Sequence, residues 1–198
     1  MTHCGNSIGS RPGYALRSAP ENWKPVLNRY RMLRLNLGHF GGIWDFFSDS
    51  ACRQSSDTPW PKTIGEMVDA YDNLYTDVSD FSGVLDRWDS ERCATREIFA
   101  NLKELIARHP KLRSRIMYGS DWVLLDREPR NEDYYQAMKQ RFSDLLGANS
   151  LDGFLGQTAA TYLGLRKNQA TRNRIDQFYR SAQRTPPDFD RYLSPEQN

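Results

Sequence analysis

Histidine and cysteine are scarce in this chain of 198 residues, at three each, and both scarcities exclude something. Cys4, Cys52 and Cys93 are odd in number and show no Cys-x-x-Cys spacing. That excludes a disulfide framework and a cysteine-built zinc site, and predicts reduced thiols. An excess of one charge sign is also missing. With 27 Lys plus Arg against 25 Asp plus Glu, bulk charge gives no case for a nucleic-acid partner. No run approaches the roughly 18 apolar residues that a membrane-spanning helix needs, and "MTHCGNSIGS" holds no apolar segment of the signal-peptide kind. These absences predict a cytoplasmic protein with no membrane partner. What is present is enough for one sizeable core, since 38% of residues are hydrophobic and the length suits a domain of ordinary size.

Along the chain, helical and strand-like periodicities alternate. In "SAPENWKPVLNRYRMLRLNLGHFGG", Ser18 with Glu21 has the spacing of a capping box, and Trp23, Val26, Leu27 and Tyr30 recur at helical intervals. A strand of roughly Leu33 to Gly38 follows and stops at His39, Gly41 and Gly42. Residues 43–61, aromatic and polar with two prolines, read as a long loop with one short helical turn. A helix over about 61–71 leads into a strand around Leu74 to Ser79. Another helix over about 91–109, striped with Ile98, Leu102, Leu105 and Ile106, ends at His109 because the residue before Pro110 avoids the α region. "RIMYGSDW" then supplies a short strand, apolar on both faces, that halts at Gly119 and presents Asp121. Such strands belong to parallel sheets covered on both sides. Helices over about 132–146 and in "LDGFLGQTAATYLGL" complete the alternation, which predicts an α/β fold with a parallel sheet. Residues 166–198 are polar. Ile175, Phe178 and Tyr179 are expected to anchor one amphipathic helix there, with Arg166, Arg172, Arg174 and Arg180 on its solvated face and a surface tail beyond.

Three polar residues occupy equivalent places just past strand ends: His3 in "THCG", His39 in "GHFGG" and Asp121 in "GSDW". In a parallel α/β arrangement they converge on one face, where such sheets and barrels place their ligands. Imidazole and carboxylate are the usual ligands of a hydrolytic divalent ion, and a neighbouring His or Asp can move the proton of its bound water. Each residue also has a structural reading: His3 as part of a frayed terminus, His39 as a buried histidine beneath the following loop, Asp121 as a helix N-cap. His109 suits a helix end better than catalysis. Asp77 and Ser79 alternate on the third strand, with a structural role favoured. Trp44, Phe46, Phe47 and Trp60 either line a pocket or form the core of their own loop.

The strand-end segments resemble the C-terminal half of the amidohydrolase-related proteins, metal-dependent hydrolases and decarboxylases with a TIM-barrel fold. "THCG" is similar to the fifth-strand histidine segment, "LRLNLGHFGG" to the sixth, "RIMYGSDW" to the eighth-strand aspartate, and "LDGFLGQTAATYLGL" to the closing helix. The likeness runs from His3 to about Leu165. It implies about four parallel strands of a (β/α)8 barrel in residues 1–165, followed by a helical extension and tail over 166–198. It also implies His3 and Asp121 as metal ligands, with His39 and Asp121 as catalytic residues. A divalent ion, zinc foremost with manganese as another choice, would act on a small-molecule substrate by C–N or C–O hydrolysis or by non-oxidative decarboxylation. The His-x-His pair of the family's first strand has no counterpart here. A half-barrel exposes two sheet edges and an apolar interior, so the chain is expected to be a fragment lacking its N-terminal half, or else to pair with a second copy. The non-enzymatic alternative is an inactive half-barrel that serves as a structural or partner-binding module.

Overall fold

The computed structural model describes residues 1–5, 15–48, 52, 59–85, 95–191 and 193. Strands β1 (Thr2–His3), β2 (Leu35–Gly38), β3 (Leu74–Asp77) and β4 (Ile116–Met117) form one sheet in the order β1-β2-β3-β4, and every pairing is parallel. Between neighbours run α1 (Lys24–Arg29), α2 (Trp60–Ala70) and α3 (Thr95–Arg108). Strands in sequential order with helical crossovers are the connectivity of a (β/α)8 barrel, and four strands are half of one.

Local chemistry sets the element ends. Helix α1 is entered through a 3-10 turn, Pro20–Trp23, after an extended Ala19, with proline at the first position where its missing N–H costs nothing. Ser18 therefore does not cap it, against the capping-box expectation, and its hydroxyl donates to the Gly5 carbonyl at 3.2 Å. Helix α3 stops before His109–Pro110 as the sequence predicts. The His109 ring lies against Gly65 of α2, where a Cβ would sit 2.7 Å from it, and Nδ1 meets Asp69 at 2.6 Å. Both residues precede a strand, so His109 joins two helices on the N-terminal side of the sheet.

Strand residues alternate between two sides. Leu35, Leu37, Leu74 and Ile116 belong to the main core with Ile64, Met67 and Val68 of α2 and Leu102 and Ile106 of α3. Phe46, Phe47 and Trp60 are buried in the same core. Phe46 lies edge-on to both Phe40 and Phe81, so these loop aromatics serve packing, and Phe46 and Phe47 also line a cavity together with Lys62 and Asn101. The rest of the long loop, 49–51 and 53–58, lies outside the described residues.

After β4 come α4 (Trp122–Leu125), α5 (Tyr134–Leu146), α6 (Ala148–Asp152), a π-helical turn at Gly153–Gln157, α7 (Thr158–Leu163) and α8 (Ala170–Ser181). This segment alters the expected exposure of the half-barrel. Asn36, Tyr75 and Asp77 point to the side opposite the main core and are nonetheless buried. Tyr162 of α7 lies with its ring centroid 5.3 Å from that of Tyr75, and the Arg34 guanidinium donates to the Thr161 carbonyl at 2.7 Å. The Arg115 guanidinium stacks on the Tyr75 ring at 5.1 Å. On the β4 edge away from β3, the Tyr118 N–H donates to the Phe154 carbonyl at 2.9 Å. The C-terminal segment thus covers part of the interior side and part of one edge, which an open half-barrel would leave bare.

Two further expectations are corrected. In α8 the residue that anchors is Arg172, not Phe178, which is 67% exposed. Arg172 is buried, bonds Asp176 on its own helix and Asp190 of the tail, and stacks on Phe189 at 5.0 Å. A cation with two carboxylate partners and an aromatic face can leave bulk water, which helical spacing alone does not reveal. Arg172→Met is expected to free the turn at Phe189–Arg191 while leaving the core intact. Limited proteolysis should then cut the tail faster with no change in the near-ultraviolet spectrum; equal cutting rates would show that the clamp holds nothing. Secondly, Cys4 is a free, buried thiol, but Cys52 is disulfide-bonded. The prediction of reduced thiols fails at Cys52 because sequence spacing reports local motifs and not long-range pairing. The support that thiols lent to a cytoplasmic reading falls with it. Cys93 lies outside the described residues. No helix of the described residues is long and apolar enough to cross a membrane.

Candidate active site

The C-terminal ends of the four strands bring His3, His39 and Asp121 to one place. The His3 and His39 rings meet edge to face with centroids 4.7 Å apart. Asp121 is close enough to favour the charged form of the His3 ring, but burial, the larger effect, and the adjacent His39 together hold the His3 pKa below its usual value. His3 is therefore kept neutral, the state in which imidazole binds metals or accepts protons. The Cys4 thiol beside it is the opposite case. Burial, reinforced by the Glu21 carboxylate, pushes it up to about 12, so it is an inert core thiol.

The backbone is strained at this end of the sheet. His39 (φ 66°), Phe40 (φ 48°), Asp80 (φ 60°) and Asp121 (φ 48°) all occupy the left-handed region, which side chains adopt at a cost of order 1–3 kcal/mol each unless the surroundings enforce it. Three of the four are the first or second polar residues past β2, β3 and β4. Asp121 begins α4 yet makes no side-chain capping bond, so the N-cap reading leaves its carboxylate unused. Trp122, next to it, is 73% exposed and has no packing role.

Asp77 is the most heavily bonded side chain of the site. Its Oδ2 accepts from Asn36 Nδ2 at 2.6 Å. Its Oδ1 accepts the backbone N–H groups of His39 at 3.1 Å and Ser79 at 3.0 Å, together with the Ser79 hydroxyl. The carboxylate thus ties the end of β2 to the end of β3. Gly119 permits this approach, because a Cβ there would lie 2.9 Å from Ser79 Cβ and 3.3 Å from Asp77 Oδ1. Asp80 was not among the residues that the sequence singled out. Burial raises its pKa, against the neighbouring His39 and with the help of Asp121, so it belongs to the same cluster. Its position just past a strand end, matching His39 and Asp121, was the available signal.

A catalytic zinc takes three protein ligands. Among the described residues no group of three His, Cys, Asp or Glu side chains is arranged to hold an ion. Asp77 has both oxygens committed to hydrogen bonds, and His39 has Nδ1 committed to Ser79. His3 and Asp121 are an incomplete donor set, and the described residues alone do not fit the ion.

A family model described as Amidohydrolase matches residues 2–165. The chain belongs to the amidohydrolase family. Crystal structures of an amidohydrolase from Burkholderia multivorans share its fold. A zinc-bound form is 20% identical with a TM-score of 0.52, covering 72% of this chain and 48% of that one. A form with bound HEPES is 19% identical at the same TM-score, covering 72% and 50%. This amidohydrolase chain thus spans about half the length of those solved structures, which accords with four strands of an eight-stranded barrel. Among curated proteins, none matches it at a significant level.

Proposed function

We propose that the chain carries half of the active site of a metal-dependent hydrolase, with His39 moving protons and His3 and Asp121 supplying two ligands to a divalent ion, zinc being the first choice. The observation that carries this is the meeting of His3, His39, Asp80 and Asp121 at the C-terminal ends of successive parallel strands, the last three on strained backbone. Family membership supports hydrolysis, and the zinc in a related crystal structure supports the metal. The remaining ligands would come from strands outside this chain, supplied by an N-terminal half or by a second copy. In the reaction a water oxygen bonds to the substrate carbonyl carbon, the His39 ring takes the water proton, and that proton passes to the departing nitrogen or oxygen as its bond to carbon breaks. Asp121, with no capping bond to occupy it, is placed to orient the water. The site would take a small-molecule substrate, and the exposed Trp122 beside Asp121 would offer it an apolar contact.

Metal content tests the ligand assignment. The purified chain, dialysed against zinc and then against metal-free buffer, is expected to retain little zinc by elemental analysis, because two ligands do not hold an ion firmly. Joined to strands that complete the barrel, it should retain close to one zinc per site, and a His3→Ala, Asp121→Ala double variant should lose it. Equal retention by that variant would refute the ligand roles. The alternative, an inactive partner-binding half-barrel, is favoured by the incomplete ligand set, and it predicts a stable complex that never takes up metal.

A further inference from the structure

The hydrogen bonds around the His39 ring decide which nitrogen carries its proton. Nδ1 lies 3.2 Å from the Ser79 carbonyl oxygen and 3.0 Å from Ser79 Oγ. A carbonyl only accepts, so Nδ1 must bear hydrogen toward it. The Ser79 hydroxyl has one proton, and that proton goes to Asp77 Oδ1, so Oγ also faces the ring as an acceptor. Asp77 cannot reverse this direction. Its oxygens already accept from Asn36, from the His39 N–H and from the Ser79 N–H, which makes it an acceptor on every side.

We propose that Asp77 and Ser79 are positioning residues that hold His39 as the Nδ1–H tautomer, leaving Nε2 as the nitrogen that exchanges a proton at the site. Asp77 acts twice. Through the His39 N–H it helps to fix the left-handed backbone that carries the ring, at φ 66°. Through Ser79 it turns the hydroxyl lone pair toward Nδ1. A ring nitrogen held by a second partner that is itself fixed by a carboxylate is the arrangement by which proteins choose a tautomer. The close packing of Gly119 on both Ser79 and Asp77 leaves the relay little room to reorganise. The inference rests on the hydrolase reading for what the Nε2 lone pair does, but the tautomer stands apart from turnover.

The test is a long-range proton–nitrogen NMR spectrum of the full chain with nitrogen-15-labelled histidine, recorded at a pH where the rings are neutral and assigned with single variants at His3 and His109. His39 is expected to show a protonated Nδ1 and an unprotonated Nε2. Ser79→Ala should move the population toward Nε2–H while amide shifts far from the site stay in place, and Asp77→Asn should move it in the same direction. A wild-type ring protonated on Nε2 would overturn the proposal, as would nitrogen shifts unchanged in both variants. If a variant fails to fold, the wild-type spectrum still decides. An Nδ1–H ring in an assembled protein without hydrolase activity would leave the positioning roles standing and remove the hydrolase reading. Turnover with an Nε2–H ring would do the reverse.

Discussion

Phe154→Ala is expected to cost about 3–5 kcal/mol of folding stability, the range for truncating a fully buried aromatic side chain. Phe154 has no exposed surface and stacks on Phe142 with centroids 4.0 Å apart and planes 4° from parallel. Tyr118 packs edge-on against it at 6.1 Å. Its carbonyl also receives the Tyr118 N–H on the free edge of β4, and it sits in the π-helical turn that leads the chain toward α7. Loss of the ring empties a cavity and loosens the segment that covers the interior side of the sheet, so the loss should fall at the upper end of the range. The measurement is the free energy of unfolding from urea titration, with Phe178→Ala as the reference. Phe178 is largely exposed and should change stability by no more than about 0.5 kcal/mol. A Phe154 effect as small as that of Phe178 would mean that the covering segment contributes nothing to folding.

That covering role was not legible in the sequence, for an identifiable reason. "LDGFLGQTAATYLGL" shows helical spacing, which tells that a stripe is buried but not against what. Tyr162 and Thr161 meet Tyr75 and Arg34 across more than eighty residues of chain, and no local pattern encodes such a pairing. The strands were legible because apolar runs ending in Gly-His or Gly-Ser-Asp are local signals. Their parallel order followed from the helices between them. For the same reason the convergence of His3, His39 and Asp121 could be foreseen, since equivalent positions on neighbouring parallel strands lie side by side. Asp77 was harder. A carboxylate within a strand reads as structural, and its bonds to Asn36, His39 and Ser79 place that structural role at the candidate site. Arg172 illustrates the converse. Arginine on an amphipathic helix suggests solvent, and the distant Asp190 and Phe189, added to Asp176 on its own helix, are what make its burial tolerable.

On the proposed hydrolase reading, His39→Asn, made in the chain joined to strands that complete the barrel, is expected to lower kcat by about 10²–10⁴-fold, the usual worth of a positioned general acid–base group, or roughly 3–5 kcal/mol of barrier. Asparagine keeps a donor near the place of Nδ1 and can still bond Ser79, so the loop and the strained backbone should persist while the exchangeable ring nitrogen is lost. The loss should therefore appear in kcat and kcat/KM together, with KM little changed, because the ring acts on a proton in flight and not on bound substrate. Ser79→Ala separates positioning from chemistry. It leaves the imidazole in place but removes one of the two acceptors at Nδ1, loosening the hold on its tautomer, and should give a smaller fall in kcat that parallels the fraction of ring lost from the Nδ1–H form. Steady-state kinetics on both variants, read beside their nitrogen spectra, decide the matter. Full activity in His39→Asn would move proton transfer to Asp121 or Asp80, the carboxylates that share the cluster with His39.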